Sequence, residues 1–357
     1  MSRPVWVETN VNLICADQRF RSWPNADALE DQFGQRWGAS HLPSRSLSMG
    51  PRPKIAIKYC LGEEPLQNSG DHHFAAALAG ALSGRGWDCR LDPTPFWYAR
   101  TEPDDVVLCL RGRWRYRPSP RHLNLLWVIS HPAEVTLPEL RDFDHVFAAS
   151  ESLADTYRAA GINASALLQC TDPAIFSPGD GARRPQRLVF IANSRNVERP
   201  IATAALKELL PLEIYGRNWE AFEASVFVHG QAVANDLLPQ LYREAIVFND
   251  HWTDMAAAGI LSNRLFDAAA CAAPILSDRV PGIEAVFGGL VSLLDDEPLA
   301  RTIQRMMNGA DEVRDARLAL AAQVRSAHSF EVRADEILHI IAERMRGFAP
   351  ETDHHVD

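Results

Sequence analysis

The chain has 357 residues, of which 46% are hydrophobic and 23% are charged, a composition typical of a soluble globular protein with room for two domains. Its formal net charge of -10 argues against nucleic acid as the main partner, because binding to a phosphate backbone needs a basic surface. The sequence contains no run of about 18 apolar residues that would predict a membrane-spanning helix, and its N-terminus lacks the apolar core of a secretory signal. The six cysteines show no metal-type spacing, so we expect reduced thiols in a cytoplasmic protein.

Residues 1–50 are predicted to be an N-terminal elaboration, to which we assign no function. From Lys54 onward, strands and helices alternate regularly, which predicts a parallel sheet covered on both faces. Ligands of such sheets bind at the carboxyl ends of the strands. The predicted first domain spans residues 51–177, with a helix at 74–83 and strands at 55–60, 89–91, 106–110, 123–129, 145–148 and 166–168.

Two loops that follow predicted strands carry titratable side chains. Asp71 and His72 lie directly before the first helix, where Asp71 either caps that helix or belongs to a site. His131 and Glu134 follow the fourth strand, at the strand end where active-site residues collect. We take these four side chains as the catalytic candidates, and a structural role is the alternative for each.

A basic run with interleaved aromatic residues, Arg111 to Arg117, follows the third strand. Such a run suits an anionic acceptor, a phospholipid-linked sugar or a nucleic acid. It is too short to predict more than a peripheral membrane contact. A solvated loop in an otherwise acidic protein is the simpler interpretation.

A turn-rich polar segment over residues 172–181 marks the predicted domain boundary. The alternation then resumes, which predicts a second domain over residues 186–329 and a final apolar-striped helix over residues 330–346. Arg195 follows the first strand of this domain, where its side chain either reaches a diphosphate or is simple surface charge. The predicted strands lie at 187–192, 212–215, 226–228, 246–250, 275–278 and 292–294.

The segment Gly259–Asp278 is the most informative part of the chain. Apolar residues recur in it at helical spacing, and Pro274 ends the helix before a short strand. Arg264 and the free N–H groups at the start of this helix favour an anion such as a phosphate. Asp267 lies one turn further in, where it is placed to accept hydrogen bonds from hydroxyls of the same ligand. An ordinary amphipathic helix with a solvated arginine and aspartate is the alternative.

This segment resembles the donor-binding helix of GT-B-type glycosyltransferases, and it is most similar to the branch related to spore-maturation (CgeB-type) enzymes. Two positions depart from the family pattern: Ala272 replaces a glycine, and Gly259 stands where retaining relatives carry an acid. The family's acid in the helix is a glutamate, which is Asp267 here. The matching positions are Asn263, Arg264, Phe266, Asp267, Cys271, Pro274, Ser277 and Asp278.

The resemblance implies an α/β protein of GT-B architecture, with two Rossmann-like domains whose parallel sheets face each other across a cleft. It also implies that the last helix crosses back to the first domain. The second domain would bind a nucleotide-sugar donor, with a UDP-sugar expected first and a GDP-sugar second. The donor is a co-substrate, and neither a metal nor another cofactor is expected.

The resemblance further implies roles for individual residues of the second domain. Arg264, the amide groups near Asn263, and Arg195 would neutralise the diphosphate, while Asp267 would hold the ribose. In relatives, the loop after a V-H-G-like strand cradles the base. The remaining donor-binding candidates from matching motifs are Arg217, His229 and Gly230.

The implied reaction transfers a sugar to a hydroxyl of a carbohydrate, lipid-linked or protein acceptor. If the anomeric centre inverts, a base must deprotonate that hydroxyl, and the four catalytic candidates are available for this role. If it is retained, the leaving phosphate takes the proton, although Gly259 weakens this case slightly. A catalytically silent nucleotide-sugar-binding protein and a sugar-nucleotide epimerase or hydrolase are the alternatives.

Overall fold

Two parallel six-stranded sheets form the framework of the chain in the computed structural model, which describes residues 52–62, 64–100, 104–294 and 297–347. The N-terminal elaboration predicted over residues 1–50 lies outside the described residues. We call residues 52–166, which contain the first sheet, the first lobe, and residues 187–327, which contain the second sheet, the second lobe.

All strands of the first sheet run parallel: β1 (Lys54–Tyr59), β2 (Asp88–Pro93), β3 (Val106–Arg111), β4 (Leu123–Val128), β5 (His145–Ala148) and β6 (Ala164–Ala166). Their order is β2-β1-β3-β4-β5-β6, so the direction of winding reverses between β1 and β3. Strands β3 and β4 are buried along their whole length, because a parallel sheet is covered on both faces and its strands therefore carry continuous apolar runs.

The helices of the first lobe begin with side-chain caps. They are α1 (Gly70–Ser83), α2 (Leu137–Leu140) and α3 (Glu151–Ala159). The hydroxyl of Ser69 accepts a hydrogen bond from the N–H of His72 at the start of α1, which satisfies an amide that the first turn leaves unpaired. Ser69 therefore caps this helix, and Asp71 is left in its first turn.

The second sheet repeats the design with β7 (Arg187–Ile191), β8 (Leu212–Tyr215), β9 (Val228–Gly230), β10 (Ala245–Asn249), β11 (Ile275–Ser277) and β12 (Val291–Leu293). The order is β12-β11-β10-β7-β8-β9, with all pairs parallel. This is the strand order of a dinucleotide-binding Rossmann fold, in which ligands bind where the winding reverses. That point lies between β7 and β10.

Seven helices complete the second lobe: α4 (Pro200–Lys207), α5 (Leu238–Arg243), α6 (Thr253–Ala257), α7 (Asn263–Ala270), α8 (Ile283–Phe287), α9 (Leu299–Asn308) and α10 (Arg314–Ala327). Helix α7 is buried on nearly every side, since all residues from Leu265 to Ala270 are buried. It packs against α10 and the sheet.

The last helix, α11 (Phe330–Gly347), leaves the second lobe and packs on α1 of the first. The ring of Phe330 meets that of Phe74 edge-on, with centroids 4.8 Å apart, and Asp335 pairs with Arg85. Where the chain returns, the N–H of Thr171 donates to the carbonyl of His328 at 2.9 Å. The two connections between the lobes therefore run side by side.

These observations confirm the predicted α/β class and the two parallel sheets. Two strands are shifted by two residues from their predicted positions. Residues 223–227 form a 3-10 turn in which Val226 is 72% exposed, and β9 follows at residues 228–230. The strand predicted at 166–168 lies at 164–166. Both are short edge strands, whose bounds depend on pairing with one neighbour rather than on an apolar run.

None of the described helices is both long enough and apolar enough to cross a membrane. The cysteines at positions 60, 89, 109, 170 and 271 are free thiols, and all but Cys89 are buried.

Candidate active site

The loops after the strands of one sheet face the loops after the strands of the other. Glu64, which follows β1, forms an ion pair with Arg217, which follows β8, with 3.2 Å between carboxylate and guanidinium atoms. The hydroxyl of Ser150, after β5, donates to the carbonyl of Ala258, after β10, at 2.6 Å. Because ligands of parallel sheets bind at the carboxyl strand ends, the cleft between these loops is the candidate active site.

The loop after β7 is locked to the loop after β8. The side-chain oxygen of Asn193 accepts a hydrogen bond from the N–H of Arg217 at 2.8 Å, and the indole N–H of Trp219 donates to the carbonyl of Ala192 at 2.9 Å. A Cβ at Gly216 would lie 1.9 Å from that same carbonyl oxygen. Only glycine allows this close approach, so the backbone of both loops has a fixed position at the cleft.

Asn249, at the end of β10, organises the start of α7. Its side-chain oxygen accepts hydrogen bonds from the Ser262 hydroxyl at 2.7 Å and from Nη1 of Arg264 at 2.8 Å. Nη2 of Arg264 donates to the carbonyl of Ile191 at 2.6 Å. The guanidinium thus bridges the ends of β7 and β10, at the point where the winding of the second sheet reverses.

His251 holds the first turn of α7 from the other side. Its Nε2 accepts a hydrogen bond from the N–H of Ser262 at 3.0 Å, while Nδ1 lies 2.6 Å from a carboxylate oxygen of Asp278. An accepting Nε2 places the proton of the neutral ring on Nδ1, which donates to Asp278. Burial opposes ionisation of Asp278, but the bonds from His251 lower the pKa of this carboxyl group.

Three arginines converge at this point, and only one of them is neutralised. Arg199 is buried and forms a bidentate ion pair with Asp250. Within the described ranges, neither Arg195 nor Arg264 has a carboxylate within ion-pair distance. Burial, followed by repulsion from Arg199 and Arg264, lowers the pKa of Arg195 to about 9, and burial is also the main reason why the pKa of Arg264 is lowered. The site therefore holds positive charge that the protein itself leaves uncompensated.

Asp71 supplies a carboxyl group from the first lobe. Burial, with a further contribution from Glu64, raises the pKa of Asp71 to about 6, although the charge of Arg195 opposes this shift. A carboxyl group with such a pKa is ionised at neutral pH and still basic enough to accept a proton.

His131 also reaches the cleft from the first lobe. Its ring lies 5.0 Å from that of Trp252, centroid to centroid, and its backbone has the left-handed φ of 50°. Burial lowers the pKa of His131, which keeps the ring neutral at neutral pH. Arg195 has a left-handed φ of 63° as well, and non-glycine residues in this region are commonly held there for function.

Comparisons with known proteins agree on one architecture. Residues 195–339 match a protein family described as "Glycosyl transferase-like". Sucrose-phosphate synthase from Thermosynechococcus elongatus is similar over 83% of this chain and 100% of its own, with 12% identity and a TM-score of 0.56. AviGT4, a glycosyltransferase involved in avilamycin A biosynthesis, is similar over 83% and 99%, with 17% identity and a TM-score of 0.55.

HepE from Anabaena, solved in complex with UDP-glucose, is similar over 81% of this chain and 99% of its own, with 11% identity and a TM-score of 0.56. A sequence search among curated proteins found no match. The chain therefore has the GT-B fold. Its placement near the spore-maturation branch stays a prediction.

The GT-B cleft brings together five of the residues singled out from the sequence: Asp71, His131, Arg195, Arg217 and Arg264. Glu134 is half exposed at the rim, 3.9 Å from His131. His229 and Gly230 lie on the edge strand β9, and Gly230 accepts a hydrogen bond from the N–H of Gly216 at 2.8 Å.

Two predicted site residues of the GT-B protein point into its interior. His72 is only 7% exposed, and its Nδ1 lies 2.9 Å from the Tyr59 hydroxyl. Asp267 is also 7% exposed, and its two oxygens accept hydrogen bonds from Thr171 at 2.7 Å and Asn263 at 2.5 Å. Burial is the main reason why the pKa of Asp267 is raised to about 8. Through these bonds Asp267 holds the interlobe segment to α7, and the ribose contact predicted for it stays a prediction.

Asn263 joins this internal network by donating to Asp267. Its own side-chain oxygen is buried and has no hydrogen-bond partner within the described residues. The amide groups of the first turn of α7 lie beside Arg264, and their contact with a phosphate stays a prediction.

The basic run Arg111–Arg117 does not form one basic surface. Arg111 is buried and paired with Glu139 at 2.7 Å, because β3 ends at this residue and its side chain turns inward. Arg115 pairs with Asp142 at the surface. The run therefore offers less charge to a membrane or an anionic acceptor than its sequence indicates.

No cluster of three or more metal-ligating side chains occurs in the part of the chain that the structure describes. Asp142 and Asp144 have the D-x-D spacing of many metal sites, but they precede β5 and therefore lie at the amino end of the strands, away from the cleft. Asp144 accepts a hydrogen bond from the N–H of Asn124. Metal independence stays a prediction.

Sequence reasoning missed four residues that shape the cleft: Arg199, Asn249, Asp250 and Trp252. Asn249 ends β10 and Asp250 follows it, so the rule for carboxyl strand ends could have selected them. Arg199 and Trp252 carried no such signal, since their role comes from contacts with residues distant in the sequence.

Proposed function

We propose that this chain transfers a sugar from a nucleotide-sugar donor to an acceptor hydroxyl. The observation that carries the proposal is the pair Arg195 and Arg264, two half-buried guanidinium groups at the reversal point of the second sheet. Among the described residues neither forms an ion pair with a carboxylate, so each retains its charge for a ligand. The diphosphate of a nucleotide sugar supplies the anionic oxygens that such groups bind best.

The proposed donor is a UDP-sugar, with a GDP-sugar as the second choice. HepE, which shares the fold, was solved with UDP-glucose, and this supports the uridine nucleotide first. In the proposal, the end of the edge strand β9 with His229 and Gly230 lies beside the base, and Arg217 lies between base and diphosphate.

Departure of the diphosphate is the step that the second lobe assists. As the bond between the sugar and the phosphate oxygen breaks, negative charge grows on the diphosphate and positive charge on the sugar. Arg195, Arg264 and the N–H groups that open α7 are fixed before the reaction. They stabilise the departing charge without reorganising.

Asp71 is the proposed proton acceptor if the reaction inverts the anomeric centre. Of the four candidates it is best placed: it faces Arg195 and is half buried, whereas His72 is interior and Glu134 is exposed. The acceptor oxygen would bond to the anomeric carbon and pass its proton to the Asp71 carboxylate. If the configuration is retained, the departing diphosphate takes that proton, and His131 and Asp71 position the sugar.

The acceptor is a carbohydrate, a lipid-linked molecule or a protein in this proposal, and no metal takes part. A cytoplasmic location is proposed as well, supported by the free thiols of the described cysteines.

The test is calorimetric titration of the full chain with UDP, GDP, ADP and CDP, with the matching nucleosides as controls. We expect one diphosphate to bind and its nucleoside to bind far more weakly, because the phosphates supply most of the attraction. Incubation with sugar conjugates of the preferred nucleotide, in the presence of EDTA, then separates a transferase from a silent binding protein. Failure of every nucleoside diphosphate to bind would refute the proposal.

Replacing Arg264 with alanine tests the same site from the protein side. Loss of charge-assisted hydrogen bonds is expected to cost about 1.5–3 kcal/mol, which is a weakening of roughly 10- to 150-fold in affinity for the diphosphate. Arg305→Ala is the matched control, since Arg305 lies on α9 and pairs with Glu297. Equal affinities for the two variants would move the diphosphate elsewhere.

A further inference from the structure

Trp252 belongs to the second lobe by sequence and to the first by packing. It lies between β10 and α6, yet its ring packs against the hydrophobic core of the first lobe, together with buried Met255 and Ile260. Two serine hydroxyls of the first lobe, Ser150 and Ser152, donate to the carbonyl of Ala258 just beyond it, at 2.6 and 3.0 Å. The segment 252–260 therefore packs on the first lobe.

The indole ring also contacts a group from each side of the cleft. The guanidinium carbon of Arg195 lies 4.4 Å from the ring centroid, within the range of a cation–π contact. The ring of His131, from the first lobe, lies 5.0 Å away, inclined at 53°. Trp252 is thus the surface on which one of the two unpaired arginines rests.

An arginine without a carboxylate partner has many rotamers to lose when it binds an anion. A flat aromatic surface that already holds the guanidinium reduces that loss, which strengthens binding without adding a contact to the ligand. The carboxylate of Asp250 cannot serve this purpose, because Arg199 occupies both of its oxygens.

We propose that Trp252 is a positioning residue, which holds Arg195 ready for the diphosphate of the donor. Because the same ring is packed on the first lobe, the position of this arginine is tied to the contact between the lobes. The inference rests on the proposed function, and it deepens it by giving a role to a residue that the sequence analysis did not select.

A double-mutant cycle distinguishes a positioning role of Trp252 from a purely structural one. The cycle uses the full chain, with UDP as the probe, or GDP if the unaltered chain prefers it. The variants are Trp252→Leu, which keeps an apolar side chain without an aromatic face, Arg195→Met, and the two combined. Melting temperatures confirm that each variant is folded.

We expect Trp252→Leu to weaken nucleoside diphosphate binding about fivefold when Arg195 is present. In the Arg195→Met background the same substitution should change the affinity less than twofold, since there is no guanidinium left to hold. An equal loss in both backgrounds would show that Trp252 acts only through the fold, and it would overturn the inference.

Trp252→Phe serves where the leucine variant does not fold. Phenylalanine keeps the ring but attracts a cation less strongly than tryptophan, so we expect a smaller loss that again disappears without Arg195. If the unaltered chain binds no nucleoside diphosphate, the proposed function fails and this inference fails with it. If it binds and both tryptophan variants bind equally well, only the inference fails.

Discussion

Asp71 and Arg195 have pKa values shifted toward neutrality, and each influences the other across the cleft. Burial and the nearby charge of Glu64 raise the pKa of Asp71 to about 6, against the opposing effect of Arg195. Burial and two neighbouring arginines lower that of Arg195 to about 9. Shifts of this kind cluster at functional sites because catalysis needs groups that change charge near neutral pH.

Asp71→Asn tests the proposed proton transfer through its pH dependence. Only the ionised carboxylate accepts a proton, so we expect kcat/KM to fall about tenfold per pH unit below 6. The variant should not show this fall of kcat/KM below pH 6. Its rate should be about two to four orders of magnitude lower than that of the unaltered chain. The measurement is kcat/KM for sugar transfer between pH 5 and 8.

Stability separates a chemical effect from unfolding in this experiment. The folded-state pKa of Asp71 is raised, so its stabilising contribution is complete below the ordinary pKa near 4 and is lost as the pH rises through about 6. Asparagine should therefore leave the melting temperature at pH 7 unchanged or higher. Asp155→Asn, on the surface of α3, is the control, and it should show the same fall of kcat/KM below pH 6 as the unaltered chain. If this fall persists in Asp71→Asn, another group accepts the proton.

The sequence predicted which charged residues lie near the cleft, but it did not predict in which direction each side chain points. Arg195 and Arg264 followed from the rule for strand ends and helix starts, and both lie at the reversal point. Asp267 follows Arg264 by less than one turn, but α7 is buried on nearly every side. Helical spacing assumes one solvated face, so it could not show that Asp267 points inward.

At the scale of elements, two helices end in the same motif with different surroundings. Gly161 follows α3 and Gly259 follows α6, with left-handed φ values of 75° and 71°. In each case the next N–H bonds back into the last turn: Ile162 to Tyr157, and Ile260 to Met255. A glycine in this position ends a helix without strain.

The two glycines form a matched pair for mutation to alanine. The Cβ added by Gly161→Ala would lie in open space. The variant should therefore lose only about 1–2 kcal/mol of folding free energy, from the strain of an alanine with a left-handed backbone. At Gly259, a Cβ would lie 3.1 Å from each of the Ser150 and Ser152 hydroxyls. Gly259→Ala should therefore cost about 1 kcal/mol more, from crowding between the lobes.

Urea denaturation curves of the two variants measure this difference. Equal losses would mean that the lobes separate freely at this point, and that the contact between residues 258–259 and α3 adds nothing to stability.

The long, strongly patterned elements were predictable, whereas short edge strands were not. The apolar runs of β1, β3, β4, β7 and β10 identify buried parallel strands by themselves. Strand β9 has three residues and pairs only with β8, through a shifted register. Its position is decided by that partner, which no local pattern reveals.

Within the described chain, the last helix packs on the first. Helix α11 covers α1, and buried Phe330 meets Phe74, whose ring in turn lies 5.3 Å from that of Trp127 in β4. Alternation of strands and helices predicts each lobe separately. It carries no information about this crossing, which only the resemblance to GT-B proteins implied.

Phe330→Ala should lower the free energy of unfolding by about 3–5 kcal/mol, because it empties a buried ring site. Met345→Ala, near the other end of α11 and 41% exposed, is expected to change it by about 0.5 kcal/mol or less. The check is equilibrium unfolding followed by tryptophan fluorescence. Similar losses for the two variants would show that α11 is not part of the stable first lobe.

The late position of α11 in the sequence also affects how the first lobe folds during synthesis. All six strands of the first sheet have been made by residue 166, but the helix that covers α1 is finished only near residue 347. At about 5–20 residues per second, a ribosome needs roughly ten to forty seconds to supply it. During that interval the nascent first lobe displays the apolar surface around Phe74, so the growing chain is open to aggregation until the residues of α11 have been made.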